Sequence, residues 1–89
     1  MKHRVKILIE NDSEHFKTLY LEPWGEDYGM NPNDKFEIIE GEATENFYFH
    51  IVYNQDILVW VEGQSDAYPR VYEDGQELIC GHNRIENEK

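Results

Sequence analysis

The sequence predicts an all-β fold, a small antiparallel β-sandwich or barrel of six to seven short strands. Apolar and polar side chains alternate with period two in several short runs, and β-branched and aromatic residues are concentrated in those runs. Turn-forming residues recur about every 8 to 12 residues, which is typical of sandwiches and small barrels. The 89 residues make a single domain, and we expect its ordered core to cover about residues 3–81.

Three runs in the first half of the chain predict strands. In HRVKILIE (3–10), three apolar side chains share one face. After the turn NDSE, the run HFKTLYLE (15–22) predicts a second strand, which we expect to pair with the first as a hairpin. A connection crowded with prolines, glycines and acidic residues follows. KFEIIE (35–40) then has the pattern of a half-buried strand.

The second half predicts a central pair of strands and a closing hairpin. After the loop GEATEN, FYFHIVY (47–53) is apolar on both faces, so we expect a central strand that pairs with ILVWVE (57–62). GQSDAYP is a loop. RVYEDGQELIC (70–80) predicts a hairpin, because Asp-Gly is favoured where both turn residues need positive φ. The polar residues 82–89 are expected to form a frayed tail.

The charge balance excludes some partners and favours others. Nineteen acidic and eight basic residues give a net charge of −11, which opposes binding to nucleic acid and to anionic membrane surfaces. The acidic surface has two explanations: it keeps a small domain soluble, or it meets a partner protein that has a basic surface.

Cysteine usage and the N-terminus predict a compartment. Cys80 is the single cysteine, so the chain has no internal disulfide and we expect it in a reducing cytoplasm. The first apolar run, Ile7 to Ile9, is too short for a signal peptide or a membrane span.

We predict no catalytic residues, no metal ligands and no cofactor, and therefore expect a protein that is not an enzyme. Cys80 and His82 form a pair of metal-ligand types, but no second pair with zinc spacing exists. NPNDKFE offers oxygen donors without the alternation of a calcium loop. Pro32 is instead expected to fix a turn in which Asn33 or Asp34 takes the strained backbone position.

Aromatic residues in the connections are the best candidates for a binding surface. Trp24 and Tyr28 in the first connection, next to Glu26 and Asp27, and Tyr68 before Pro69 offer large contact area beside carboxylates. The alternative, which we favour for Trp24, is a ring that folds back as a lid over one open end of the core.

The stretch LYLEPWGEDYGMNPNDKFEII (19–39), together with the later VYEDGQELICG, resembles a group of small uncharacterised bacterial β-proteins. Members show a strand, an acidic connection with an aromatic residue, a proline-marked turn, another strand and a late hairpin. The resemblance covers about residues 5–81. It implies a small bacterial β domain, and it implies no activity, cofactor or catalytic residue.

These observations favour a non-enzymatic protein-binding module that meets its partner through an acidic surface anchored by corner aromatics. An inhibitor that blocks a basic site on another macromolecule would have this charge profile. The alternative is carbohydrate or small-ligand binding through the same aromatic rings. The sequence leaves the oligomeric state open.

Overall fold

The computed structural model describes residues 3–63 and 68–84, which form eight strands. In chain order these are β1 (His3–Glu10), β2 (Lys17–Glu22), β3 (Glu26–Met30), β4 (Lys35–Ala43), β5 (Tyr48–Tyr53), β6 (Ile57–Glu62), β7 (Arg70–Glu73) and β8 (Gln76–Glu77). The first sheet has the order β1-β4-β7-β8 and the second sheet has the order β3-β2-β6-β5. The all-β prediction is confirmed, with eight strands instead of six to seven.

The two sheets form a small sandwich around one apolar core. The second sheet contributes side chains on β2, β3 and β6, and the first sheet contributes side chains on β4 and β7: Leu19, Leu21, Tyr28, Met30, Ile57, Val59, Phe36, Ile38 and Val71. The pairing of these eight strands is antiparallel, as predicted, except between β2 and β6, which are parallel. Parallel neighbours need a crossover connection, and the chain between β2 and β6 makes one that includes β4 of the first sheet.

The predicted hairpin of the first two strands is wrong. β1 pairs with β4 from Val5 to Glu10 in an unbroken antiparallel register, and β2 lies between β3 and β6 in the other sheet. The apolar faces of β1 and β2 therefore both face the core: Leu19 and Leu21 of β2 are buried in it, and Ile7 and Ile9 of β1 are partly buried against it. A side-chain period alone does not say whether two strands lie side by side or face to face.

Asn11 fixes the crossing from the first sheet to the second. Its side chain is buried, and its Nδ2 group donates to the carbonyl oxygens of His15 and Met30 at 2.8 and 2.9 Å. Its Oδ1 atom accepts a hydrogen bond from the Ser13 hydroxyl at 2.7 Å. The loop after β1 is thus held to the end of β3 by a buried amide with satisfied donors.

The crowded connection contains a strand that the sequence did not reveal. Glu26–Met30 is β3, which pairs with β2 after a turn in which Gly25 has a φ of +69°. The turn predicted at NPND is confirmed, and Asn33 is the residue in the strained position, with a φ of +72°. Its backbone N–H donates to the Asn11 carbonyl oxygen at 2.8 Å.

The predicted pairing of the fifth and sixth strands is confirmed, but the predicted central position of FYFHIVY is wrong. β5 and β6 pair from Tyr48 to Tyr53 without a register shift, and β5 is the edge of its sheet. The expected loop GEATEN is strand as far as Ala43, because β4 continues alongside β1.

The closing hairpin is confirmed: Asp74 and Gly75 have φ of +51° and +80°, and they join β7 to β8. The expectation of a frayed tail is wrong for residues 82–84. The backbone N–H of Gly29 donates to the His82 carbonyl oxygen at 2.7 Å, and Asn83 is buried. Residues 85–89, and residues 64–67 of the predicted loop, lie outside the described residues.

Candidate functional site

All five candidate residues lie at one corner of the sandwich, where the second sheet meets the chain entering the first. Trp24 is in the turn after β2, and Glu26, Asp27 and Tyr28 begin β3. Tyr68 precedes the buried Pro69, which leads into β7. Tyr68 contacts Trp24 and Glu26, and Glu26 also contacts Tyr28. We call these four residues the aromatic corner.

Glu26 joins the two tyrosines of the aromatic corner. Its Oε1 atom accepts a hydrogen bond from the Tyr28 hydroxyl at 2.8 Å, and its Oε2 atom accepts one from the Tyr68 hydroxyl. Burial, and then the hydrogen bond to this carboxylate, raise the pKa of both phenols above the ordinary value of 10.0. Both hydroxyls therefore stay protonated and donate to Glu26 throughout the physiological pH range.

Trp24 lies against the ring of Tyr68 at the outside of the corner. The ring centroids are 4.5 Å apart and the planes are inclined by 50°, within the range of favourable aromatic pairs. Trp24 is 43% exposed and Tyr68 is 42% exposed. The favoured expectation of Trp24 as a lid over the core is therefore wrong, because its ring lies outside the buried cluster.

Tyr28 and Asp27 do not form the exposed binding surface that the sequence predicts. Tyr28 is only 4% exposed and belongs to the core, so the expectation of an exposed ring is wrong there. Asp27 points to the opposite face of β3, since side chains alternate along a strand. Its carboxylate accepts two hydrogen bonds from the Arg84 guanidinium at 2.8 and 2.9 Å. This arginine lowers the pKa of Asp27 and compensates its charge.

A cleft of about 320 Å³ opens beside the aromatic corner. It is lined by Glu26, Tyr28 and Tyr68 on one side and by Leu78, Ile79 and Cys80 on the other. The sequence missed the second group, because residues 78–80 follow β8 as irregular chain instead of continuing the strand. Cys80 is exposed, with its Sγ atom 3.6 Å from Asp27 Oδ1.

A second cleft, of about 490 Å³, lies on the outer face of the first sheet and is lined partly by basic residues. Two of them have acidic partners: Lys6 is 3.2 Å from Glu37, and Arg70 is 2.9 Å from Glu77. Only Arg4 of this cleft remains as an uncompensated cation among the described residues. This face therefore offers little net positive charge for an anionic ligand in a protein of net charge −11.

Metal and membrane signals are weak in the described part of the chain. His82 is half-buried, and its Nε2 atom lies 3.9 Å from the Glu73 carboxylate. Within residues 3–63 and 68–84, no three histidine, cysteine, aspartate or glutamate side chains converge as metal ligands would. The same residues include no helix with the length and apolarity required to span a bilayer.

The fold and the corner together define a small all-β protein with an exposed surface of two aromatic rings and a carboxylate. No protein-family model, curated protein or solved structure matches the chain. What the aromatic corner can bind is therefore argued from its own geometry.

Proposed function

We propose that the protein is a non-enzymatic binding module that recognises a basic side chain on a partner protein through Trp24, Tyr68 and Glu26. The observation that carries this proposal is the half-exposed ring pair of Trp24 and Tyr68. Two aromatic faces beside a carboxylate attract a lysine or arginine head group through the ring quadrupoles and through charge.

The corner is held rigid before a partner arrives, which favours its use as an anchor. Tyr68 is restrained at both ends, by its hydrogen bond to Glu26 and by the buried Pro69 that follows it. Glu26 is itself on a paired strand, β3. A rigid aromatic surface loses little conformational entropy on binding, so more of the contact energy contributes to affinity.

The net charge of −11 supports the choice of partner. An anionic protein is drawn towards a basic surface at low salt, and the attraction weakens as salt screens it. An inhibitor that covers a basic site on another macromolecule is the kind of protein that would use such a surface. The exposed thiol of Cys80 fits a reducing compartment, and we place the protein in the cytoplasm.

The test is a calorimetric titration with an arginine- and lysine-rich peptide, with an acidic peptide of equal length as the control ligand. Wild type should bind the basic peptide, and Trp24→Ala should weaken binding by about 10- to 100-fold, the effect typical of an aromatic hot spot. The matched control variant is Tyr48→Ala, which removes an exposed ring on β5. Equal losses in the two variants would refute the role of the corner.

Carbohydrate binding is the second candidate, and the exposed indole of Trp24 favours it. A pyranose ring stacks on a flat aromatic face, and carboxylates accept hydrogen bonds from its hydroxyls. The same titration with neutral oligosaccharides separates the two candidates. Binding of a sugar that is independent of salt and lost in Trp24→Ala would replace the basic-peptide proposal.

A further inference from the structure

Three of the four strands at the sheet edges are protected against pairing with another chain. The edge strands are β1, β8, β3 and β5. β3 is covered by the C-terminal chain, which bonds its backbone at Asp27 and Gly29. β8 has only two residues, and β1 carries Arg4, Lys6 and Glu10 along its exposed outer row. Short edges, covered edges and charged edges are the usual ways to prevent strand pairing.

β5 has none of these protections among the described residues. Its sequence YFHIVY has no lysine, arginine, aspartate, glutamate or proline, and its pairing with β6 has no bulge. Tyr48 is 59% exposed, Ile51 is 47% exposed and Tyr53 is 64% exposed. A largely apolar edge strand without a bulge is a template for another strand.

The exposed side chains of β5 include residues on its inward face. Ile51 and Tyr53 lie opposite Val59 and Ile57 of β6, both of which are buried in the core. Their row therefore continues the core face of the sheet to its edge, where it reaches solvent. The sequence of β5 is that of a central strand, apolar on both faces, and within residues 3–63 and 68–84 it has a neighbouring strand on one side only.

We propose that β5 pairs antiparallel with β5 of a second copy of this chain, which makes one continuous eight-stranded sheet across a two-fold axis. A two-fold axis brings the same surface of both copies together, so the surface must be complementary to itself. An axis at Ile51 places this residue beside its own copy and places Phe49 opposite Tyr53 of the second copy. Every pair on the inward face is then apolar.

Charge opposes the pairing of two copies least at this edge. Each copy has a net charge of −11, so two copies repel wherever their acidic surfaces approach. β5 carries no acidic side chain, and pairing there avoids placing like charges directly opposite each other. The remaining long-range repulsion is screened by salt, and the dimer should therefore become more stable as ionic strength rises.

The dimer is independent of the proposed binding at the aromatic corner. β3 and β5 are at opposite edges of the second sheet, so one surface can act without the other. The salt dependence also has opposite sign, because attraction of a basic partner weakens with salt while self-association strengthens. A failure of one proposal is thus visible without a failure of the other.

Sedimentation velocity over a concentration series tests the pairing. A strand of six residues buries a small interface, so we expect a dissociation constant on the order of 100 µM in about 0.5 M NaCl, and a larger one in about 0.05 M NaCl. Ile51→Lys places a charge beside its own copy and should weaken the dimer by about tenfold or more. Leu8→Lys is the control: it adds the same charge at a 61% exposed site on edge strand β1 and should leave the dimer unchanged.

Hydrogen exchange of the wild type provides a second test that does not depend on a variant folding. Amides of β5 that point away from β6 should exchange several-fold more slowly in a concentrated sample than in a dilute one, while the amides of β1 keep their rates. A monomer at every concentration in high salt, β5 exchange independent of concentration, or a dimer disrupted by Leu8→Lys and not by Ile51→Lys would overturn the proposal.

Discussion

The hydrogen bond between Glu26 and the buried hydroxyl of Tyr28 should contribute measurably to the stability of the domain. We consider Glu26→Gln, Tyr28→Phe and the double variant, which together form a thermodynamic cycle. The carboxylate accepts this bond at 2.8 Å from a phenol whose residue is 4% exposed. Removing one partner leaves the other without a charge-assisted bond at a site that water hardly reaches.

The hydrogen bonds of Glu26 to Tyr28 and to Tyr68 should contribute different amounts of stability, because the two tyrosines differ in exposure. Hydrogen bonds to charged groups contribute about 1.5–3 kcal/mol, so we expect a coupling of about 2 kcal/mol between Glu26 and Tyr28. Tyr68 bonds the same carboxylate, but its residue is 42% exposed. Water competes for that bond, and the coupling of Glu26 with Tyr68, measured with Tyr68→Phe, should stay below about 1 kcal/mol.

Urea unfolding of the single and double variants, followed by tryptophan fluorescence, measures both couplings. In a domain of this size each kcal/mol also shifts the thermal midpoint by about 4–8 °C, so thermal unfolding provides an independent reading. A coupling with Tyr28 that is no larger than the coupling with Tyr68 would refute the assignment of Glu26 as the acceptor that holds a buried phenol.

Two further variants test the parts of the fold that support the corner. Asp27→Asn should reduce the free energy of unfolding by about 0.5–1 kcal/mol at neutral pH, because Arg84 lowers the pKa of Asp27 in the folded state. A carboxyl group whose pKa is lowered by folding stabilises the folded state at pH values above its ordinary pKa of 3.8. The difference between the variant and wild type should therefore disappear as the pH falls below 3.8. Urea unfolding at several pH values measures this difference. The control variant is Asp12→Asn, which changes an exposed carboxylate. A difference between Asp27→Asn and wild type that persists in acid would contradict the ion pair. Gly29→Ala should destabilise the domain by about 1–3 kcal/mol or more, because a Cβ atom there would clash with the backbone carbonyl oxygen of Asn83 in the covering C-terminal chain. Gly41→Ala meets no atom within 4 Å and should be nearly neutral in the same thermal unfolding assay; equal effects of the two changes would contradict the packing.

Local sequence signals predicted the strands and turns that depend on neighbouring residues. The alternation of apolar and polar side chains predicted β1, β4, β5 and β6. The preference of Asp-Gly for turns in which both residues have positive φ predicted the turn at Asp74 and Gly75. β3 escaped detection because Gly29, which a strand normally disfavours, is required there by the close approach of the C-terminal chain.

The same signals predicted the pairing of β5 with β6 and of β7 with β8, but they did not predict the pairing of the other strands. The hairpin of β1 and β2 was the shortest connection, yet Asn11 directs the chain across the core by bonding the end of β3. The edge position of β5 also depends on which strands fill the sheet, and a sequence that is apolar on both faces does not distinguish a neighbour in the same chain from one in a second copy.

The candidate site was predicted in its residues and only partly in their arrangement. Trp24 to Tyr28 are close in the chain, so their proximity in space was expected, while Tyr68 joins them through a contact with Glu26 across 42 residues. The burial of Tyr28 follows from the alternation of side chains along β3, a strand that the sequence analysis did not predict. The compensation of Asp27 by Arg84 spans 57 residues and had no local signal.

The central claim is that the half-exposed ring pair of Trp24 and Tyr68 receives a basic side chain, and the indole N–H signals in a ¹H–¹⁵N NMR titration test it most directly. The chain has two tryptophans, Trp24 at the corner and Trp60 on β6, so each titration contains its own reference. With an arginine- and lysine-rich peptide, we predict a saturable shift of the Trp24 signal while the Trp60 signal stays in place. No shift at Trp24, or equal shifts of both signals, would contradict the claim.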